Sequence, residues 1–298
     1  MITLLSVPAL NRRCPGRAGL RPILGLALAW GATSPTTQAA TSDFTTRIAW
    51  QDNATNTEVA ADILPAFQFQ LAAARTHRIA LSRDDALLLT GRLTAESWPR
   101  YDGLDRTALG LQVVWQHKFG LGAAAPTLRA EFSGDAVAAR ESGRTSRFGT
   151  ATLAYRQRFA QLTRVELSHR WLRNDANDLA FDVTARELFA RVSHQVGSDW
   201  QLTLGARRRF GTALSYSAPP RPDLVKLGKP ITFVTTFDRA VPWIAYYFDA
   251  RTDALEFEAS RLIGRKLALV LSAEYRETAH GNVIYFNRVV SVALVRPF

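Results

Sequence analysis

Beyond residue 40 the chain alternates apolar and polar residues in short runs separated by turn clusters. The clearest run sets Trp200, Leu202, Leu204 and Ala206 against Gln201, Thr203, Gly205, Arg207 and Arg209. The last sixteen residues, VIYFNRVVSVALVRPF, put Ile284, Phe286, Val290, Val292 and Leu294 on one parity, together with Arg288 and Arg296. Neighbouring side chains on a strand point to opposite faces, so this period of two predicts β-strands with one face in an apolar medium. Similar runs lie near 44–50, 63–71, 87–96, 109–118, 126–138, 147–159, 162–173, 181–195, 255–259 and 267–275. That makes about twelve strands, the even number expected of a bacterial barrel. The predicted fold is all-β: a transmembrane antiparallel up-and-down β-barrel.

The connections sort by parity. With the C-terminal Phe298 at the periplasmic rim, 74–85, 119–125, 160–161, 196–198 and 263–265 become periplasmic turns. The connections 52–58, 99–105, 139–146, 174–180, 211–250 and 278–283 become extracellular loops. Of these, 211–250 is by far the longest. It could fold into the lumen with Arg221, Lys226 and Lys229, or stand as a surface loop; Ile231–Val234 and Trp243–Phe248 suggest strand structure within it. Aromatics fall near strand ends: Trp50, Trp98, Trp171 and Tyr275 at the outer side, Phe119, Phe159, Trp200 and Phe298 at the inner. Two such girdles are expected at the two interfaces of a bilayer.

The first 39 residues break the pattern. Arg12, Arg13, Arg17 and Arg21 precede the apolar run ILGLALAWGA and the small residues TSPTTQAA. A basic region, an apolar region and a small-residue site make a secretory signal peptide, cut after Ala39. The domain reading is therefore a signal peptide over 1–39 and an outer-membrane barrel over 40–298. Cleavage removes Cys14. It also removes four arginines and no acids, lowering the formal charge from +11 to +7. The remaining arginines are spread along strands rather than clustered, which argues against nucleic acid as a partner.

If the apolar parity meets lipid, the other parity lines the lumen. It carries Arg47, Arg92, Arg129, Arg156, Arg158, Arg164, Arg170, Arg207, Arg209 and Arg276, with Glu131, Asp135, Glu166, Glu256, Glu258 and Glu274. Arginine keeps its charge and binds oxyanions through a fork of donors, so one reading is a narrow channel for small anionic solutes. The other is a neutralised salt-bridge network that fills a closed barrel. Such a barrel would serve structurally, or as a receptor through 211–250.

The signal peptide, the alternation and the terminal aromatic strand together resemble proteobacterial outer-membrane β-barrel proteins. RYDGLDRTALGL followed by QHKFGLG is similar to one poorly characterised, porin-like group of them. The resemblance implies an outer-membrane location, lipid around the wall, and recognition of the Phe298 strand by the barrel-assembly machinery. It implies no cofactor or catalytic motif. Ser168–His169 and Ser193–His194 are sequence neighbours, so each pair points to opposite faces and forms no dyad. Asp102, Asp105, Asp175, Asp178 and His280 show no spacing that singles out a protease site. Turn chemistry explains the run Asn174–Asp178 better than a calcium site does. No catalytic residue and no metal site is assigned, and the chain is not read as an enzyme.

Overall fold

A computed structural model describes residues 40–298 except 219, 227–230, 239, 241 and 265. The predicted signal peptide falls outside the described residues. Among the described residues thirteen strands are present: β1 (Thr41–Gln51), β2 (Ala66–Ala80), β3 (Asp85–Ser97), β4 (Arg106–Lys118), β5 (Thr127–Ala139), β6 (Ser146–Arg158), β7 (Thr163–Ala176), β8 (Val183–Val196), β9 (Trp200–Ser217), β10 (Ile231–Val234), β11 (Trp243–Leu262), β12 (Ala268–His280) and β13 (Val283–Pro297). Twelve of them form the wall. Each pairs antiparallel with the next, β9 pairs directly with β11, and β13 returns to β1 with Ile48 opposite Val292. The barrel is closed, so its wall has no free edge.

Alternation decides which face each residue takes. Outward positions are apolar and exposed: Phe67, Leu71, Leu93, Leu111, Phe132, Leu167, Leu188, Leu204, Phe257 and Val292. Most inward positions are polar or small. The short turns and Phe298 lie at one end of the barrel. The longer connections 52–65, 98–105, 140–145, 177–182 and 218–242 lie at the other, with the tight turn 281–282.

Three boundaries differ from expectation. Residues 74–80 belong to β2 rather than to a connection: the run LAAARTHRIA puts alanine on both faces and hides the period. The connection expected over 278–283 shrinks to two residues, because β12 runs on to His280. The long connection shrinks too, because β9 and β11 reach 18 and 20 residues and continue past the neighbouring strands.

That extension shapes the mouth. β8 pairs with β9 only as far as Ala185 opposite Gly211, whereas β9 stays paired with β11 up to Ser217 opposite Ile244. The strands part at Gly211. Its φ is +140°, and a Cβ there would lie 2.2 Å from the Thr184 carbonyl oxygen, so only glycine fits. Past this point β9 and β11, with β10 added at the edge of β11, form a small sheet buried on both faces. Ser215, Tyr216, Ser217, Ala245, Tyr246 and Phe248 are each 3% exposed or less.

Candidate functional site

The two-face burial locates this sheet: it sits within the long-loop mouth. One face carries Tyr216, Ala245 and Trp243. With Val234 and Phe237 they pack on Ala54, Ala66, Tyr101 and Phe181 from the surrounding connections, and on Leu64, Trp98 and Leu104. Phe237 is the hub, with ring centroids 5.3 Å from Tyr101, 5.0 Å from Tyr216 and 5.3 Å from Trp243. The other face, Ile244, Tyr246, Phe248 and Ala250, packs on Val283 and Tyr285 of β13.

Polar bonds fix the sheet in place. Tyr216 N–H donates to the Thr55 carbonyl at 2.8 Å, and the Ser217 hydroxyl donates to the buried Asp62 carboxylate at 2.6 Å. Arg144 donates to the Tyr216 hydroxyl at 2.6 Å, and its guanidinium lies 4.7 Å from the Phe181 ring centroid. Thr232 donates to Asp178 at 2.7 Å, and Thr236 bonds Glu141. Arg221 bridges Asp223 at 2.5 Å and Glu58 at 2.7 Å. Asp223 first, then Glu58, hold its guanidinium above the ordinary arginine range against the opposing effect of burial.

Trp98 belongs to this mouth cluster rather than to an outer girdle. It shares the parity of Arg92 and Glu96, which faces inward. Trp50, Trp171 and Tyr275 are exposed on the outward parity, Trp50 at the long-loop end of β1 and Trp171 and Tyr275 nearer the middle of β7 and β12; Phe298 is exposed at the other end, and Trp200 is half-buried beneath Arg261.

Below the mouth, the lumen is crossed by ion pairs. Arg92 meets Asp135 through two bonds, at 2.8 and 2.5 Å, directly over the Gly110 backbone, where a Cβ would overlap the carboxylate at 1.9 Å. Arg156 pairs with Glu166. Arg170 reaches Glu187 at 3.3 Å, and Arg191 reaches Glu256 at 2.8 Å. Arg207 bonds Glu274 and lies 3.8 Å from Glu256, while Arg276 approaches Glu274 at 3.2 Å. Arg129 stands 3.9 Å from Glu131, which also accepts from Gln112 at 2.6 Å. Among the described residues Arg158, Arg164 and Arg209 have no carboxylate within ion-pair distance, and Arg47 bonds only Ser291. Arg158 and Arg164 face each other in register near the short-turn end. Of the lumen carboxylates named in the sequence, Glu258 is the one that stands outside an ion pair among the described residues. Cations therefore remain in excess after pairing.

β8 supplies lumen residues that were not singled out from the sequence: Glu187, Phe189 and Arg191. Their alternation with Arg186, Leu188 and Ala190 was there to be read, but arginine on both parities obscured it. Phe189 faces inward, and Arg170, Arg191 and Arg207 stand 5.3, 4.8 and 5.4 Å from its ring centroid. An aromatic face attracts guanidinium charge and holds these side chains against the wall.

Among the described residues, three of the cavities lie along the lumen. The first, of 660 Å³, runs below the sheet between Arg92, Glu96, Arg106, Arg170, Glu187 and Arg209, under an apolar roof of Trp98, Leu104, Phe181 and Leu214. The second, of 220 Å³, lies behind the sheet along β9–β13, and both touch Arg209. A third, of 150 Å³, lies lower, between Arg156, Arg164, Arg191, Glu256 and Glu258. A larger hollow, of 940 Å³, follows the outer wall past Leu167, Ala190, Ala206 and Leu255. Most of its lining is outward-facing and apolar.

The residues weighed for hydrolysis do not assemble. Ser193 is hydrogen-bonded to Thr203 at 3.0 Å, and His194 lies on the outer face beside Thr163 at 2.9 Å. Asp178 caps a turn by accepting from Ala180 N–H, Asp105 accepts from Trp98 N–H, and Asp102 pairs with Arg140. No group of side chains suited to hold a metal ion occurs among the described residues.

Comparison with solved structures places this architecture. An outer membrane channel from Pseudomonas putida F1 superposes with a TM-score of 0.59 over 92% of this chain and 100% of that one, at 12% identity. The fold is that of a bacterial outer-membrane β-barrel. The KdgM porin matches at TM-score 0.44 and 10% identity, over 86% of this chain and 99% of its own. An anion-selective porin from Comamonas acidovorans matches at 0.41 and 8%, over 87% and 99%. No family model and no curated protein sequence matches.

Proposed function

We propose that this protein is a passive channel of the bacterial outer membrane, narrow and anion-preferring, obstructed at its outer mouth by the β9–β11 sheet. The long-loop end faces outward and the short turns face the periplasm. Lipid surrounds the wall, and the barrel-assembly machinery reads the strand ending in Phe298. The observation that carries the reading is the lumen charge: after pairing among the described residues, Arg47, Arg158, Arg164 and Arg209 remain against Glu258 and Asp43. A fixed positive excess in a confined aqueous path draws anions in and repels cations. A barrel built only to be filled would gain nothing from leaving guanidinium groups unpaired, because an unpaired charge away from water is costly.

The ion pairs supply rigidity rather than closure. They hold arginine side chains flat on the wall, as around Phe189, and leave cavities on either side. The apolar mouth cluster is the obstruction. A second reading, a closed barrel with a surface-receptor role, draws on the same cluster. The two part experimentally. Planar bilayers containing residues 40–298 should give discrete current steps whose reversal potential in a salt gradient is set by anions. Steps set by cations would sink the arginine argument, and silence that persists after the mouth is loosened would sink the channel. The hydrolase reading ends if lipid and peptide substrates show no turnover.

A further inference from the structure

The cavity behind the mouth sheet has a lining unlike the rest of the lumen. Three guanidinium groups, Arg207, Arg209 and Arg276, border its 220 Å³ together with Thr252, Thr278, Tyr285 and Asn287, and no carboxylate is among the lining residues. Glu274 lies behind Arg207 and Arg276 and is shared by both. Arg209 has no carboxylate partner; its one bond goes to the Thr212 carbonyl at 2.9 Å. Two further donors are unused: Nε of Arg207 and Nε of Arg276 are buried and have no hydrogen-bond acceptor. Arg276 Nε is 3.2 Å from Glu274, but without hydrogen-bond geometry. Guanidinium groups normally find an anionic partner, so three of them lining one small cavity with no carboxylate in its wall point to an anion that completes them. Ala213 and Leu214 of the sheet bound the cavity on the mouth side.

We infer that this cavity is a binding site for a small oxyanion, a phosphate or carboxylate group, held by the Arg207, Arg209 and Arg276 guanidinium groups. The inference rests on the anion-channel reading and gives its path a specific station. An oxyanion carries several acceptor lone pairs and matches the planar fork of arginine, which lysine does not reproduce. Thr252 and Thr278, whose hydroxyls are 2.9 Å apart, add donors that can turn toward the ligand. The lower cavity is different: Glu166, Glu256 and Glu258 line it beside its arginines and compete with any anion.

The test uses residues 40–298 folded in detergent micelles, titrated calorimetrically with inorganic phosphate and, separately, with acetate. Saturable phosphate binding is expected. Arg209→Lys keeps the charge and should weaken it at least tenfold, whereas Arg156→Gln in the lower cavity, whose partner Glu166 touches none of the three site arginines, should leave it within twofold. If acetate also saturates, the site takes oxyanions generally; phosphate alone assigns it to tetrahedral anions. No saturable heat with either anion overturns the inference. So does equal weakening by Arg209→Lys and Arg156→Gln, which would signal a diffuse field. Should Arg209→Lys lose the compact, heat-modifiable form, Thr252→Val with Thr278→Val stands in, with a severalfold loss expected and no loss contradicting the site. Binding in micelles needs no transport. Phosphate binding with silent bilayers would therefore refute the channel and keep the site, and anion currents without saturable binding would do the reverse.

Discussion

Trp243→Ala tests the mouth obstruction directly. Trp243 is 7% exposed and packs its indole on Phe237 at 5.3 Å, within the cluster that seats the β9–β11 sheet against the surrounding connections. Truncating a buried tryptophan to alanine costs about 3–5 kcal/mol, from lost burial and the cavity left behind. Trp243 is the first residue of β11 and lies above the part shared with β12, so the twelve-stranded ladder from Arg251 downward is untouched. The cost then falls on the seated sheet rather than on the barrel. At a factor of ten for each 1.4 kcal/mol, the ratio of seated to unseated sheet drops by roughly 140- to 4,000-fold. Single-channel recording should show longer open periods and larger steps, with the folded, heat-modifiable form retained. Phe210→Ala, on the outer face of β9 just below the sheet, is the control and should change neither. Unchanged currents from a folded Trp243→Ala barrel would refute the obstruction, because the largest apolar side chain of that face would then carry none of it.

Arg207→Glu combined with Arg209→Glu should move the reversal potential toward cations; unchanged selectivity would take both residues out of the ion path. Gly110→Ala forces the Arg92–Asp135 pair apart and should destabilise the barrel by about 1–3 kcal/mol in urea unfolding from lipid vesicles. A shift below 0.5 kcal/mol would mean the pair re-forms elsewhere. Mouth closure should not respond to moderate alkali. Arg221 titrates above the ordinary arginine range beside Asp223 and Glu58, so it holds its charge until pH rises past that raised value. Burial pushes the Tyr101 hydroxyl up as well, so it stays neutral for longer than a free tyrosine. Currents recorded at pH 7 and about pH 9.5 should therefore agree, and alkaline opening would contradict the anchoring.

The wall was legible in the sequence because a barrel surrounded by lipid imposes period two on every strand, and residues such as Leu204 and Arg207 obey it without exception. Legibility failed where one residue type occupied both faces. Alanine did so at 72–74 and hid the extent of β2; arginine did so at 186 and 191 and hid the inward Glu187 and Phe189. The mouth sheet failed differently. Tyr216, Ala245 and Trp243 take the parity that faces lipid lower down, yet they are buried by other loops. No local pattern marks that change of surroundings. Gly211 was its one visible trace, a glycine at the point where β9 leaves β8. Trp98 was misplaced for a related reason: an aromatic at a strand end suits a girdle, but it follows β3 on the inward parity of Arg92 and Glu96 and packs in the mouth cluster.

The central claim is that anions pass through an arginine-lined lumen. Its most direct test is the reversal potential of residues 40–298 in a planar bilayer under a tenfold salt gradient, recorded for the native chain and for Trp243→Ala. The account predicts discrete steps with the sign of an anion-preferring channel, larger in the variant and unchanged in selectivity. A cation-preferring potential, or silence from both folded proteins, would contradict it.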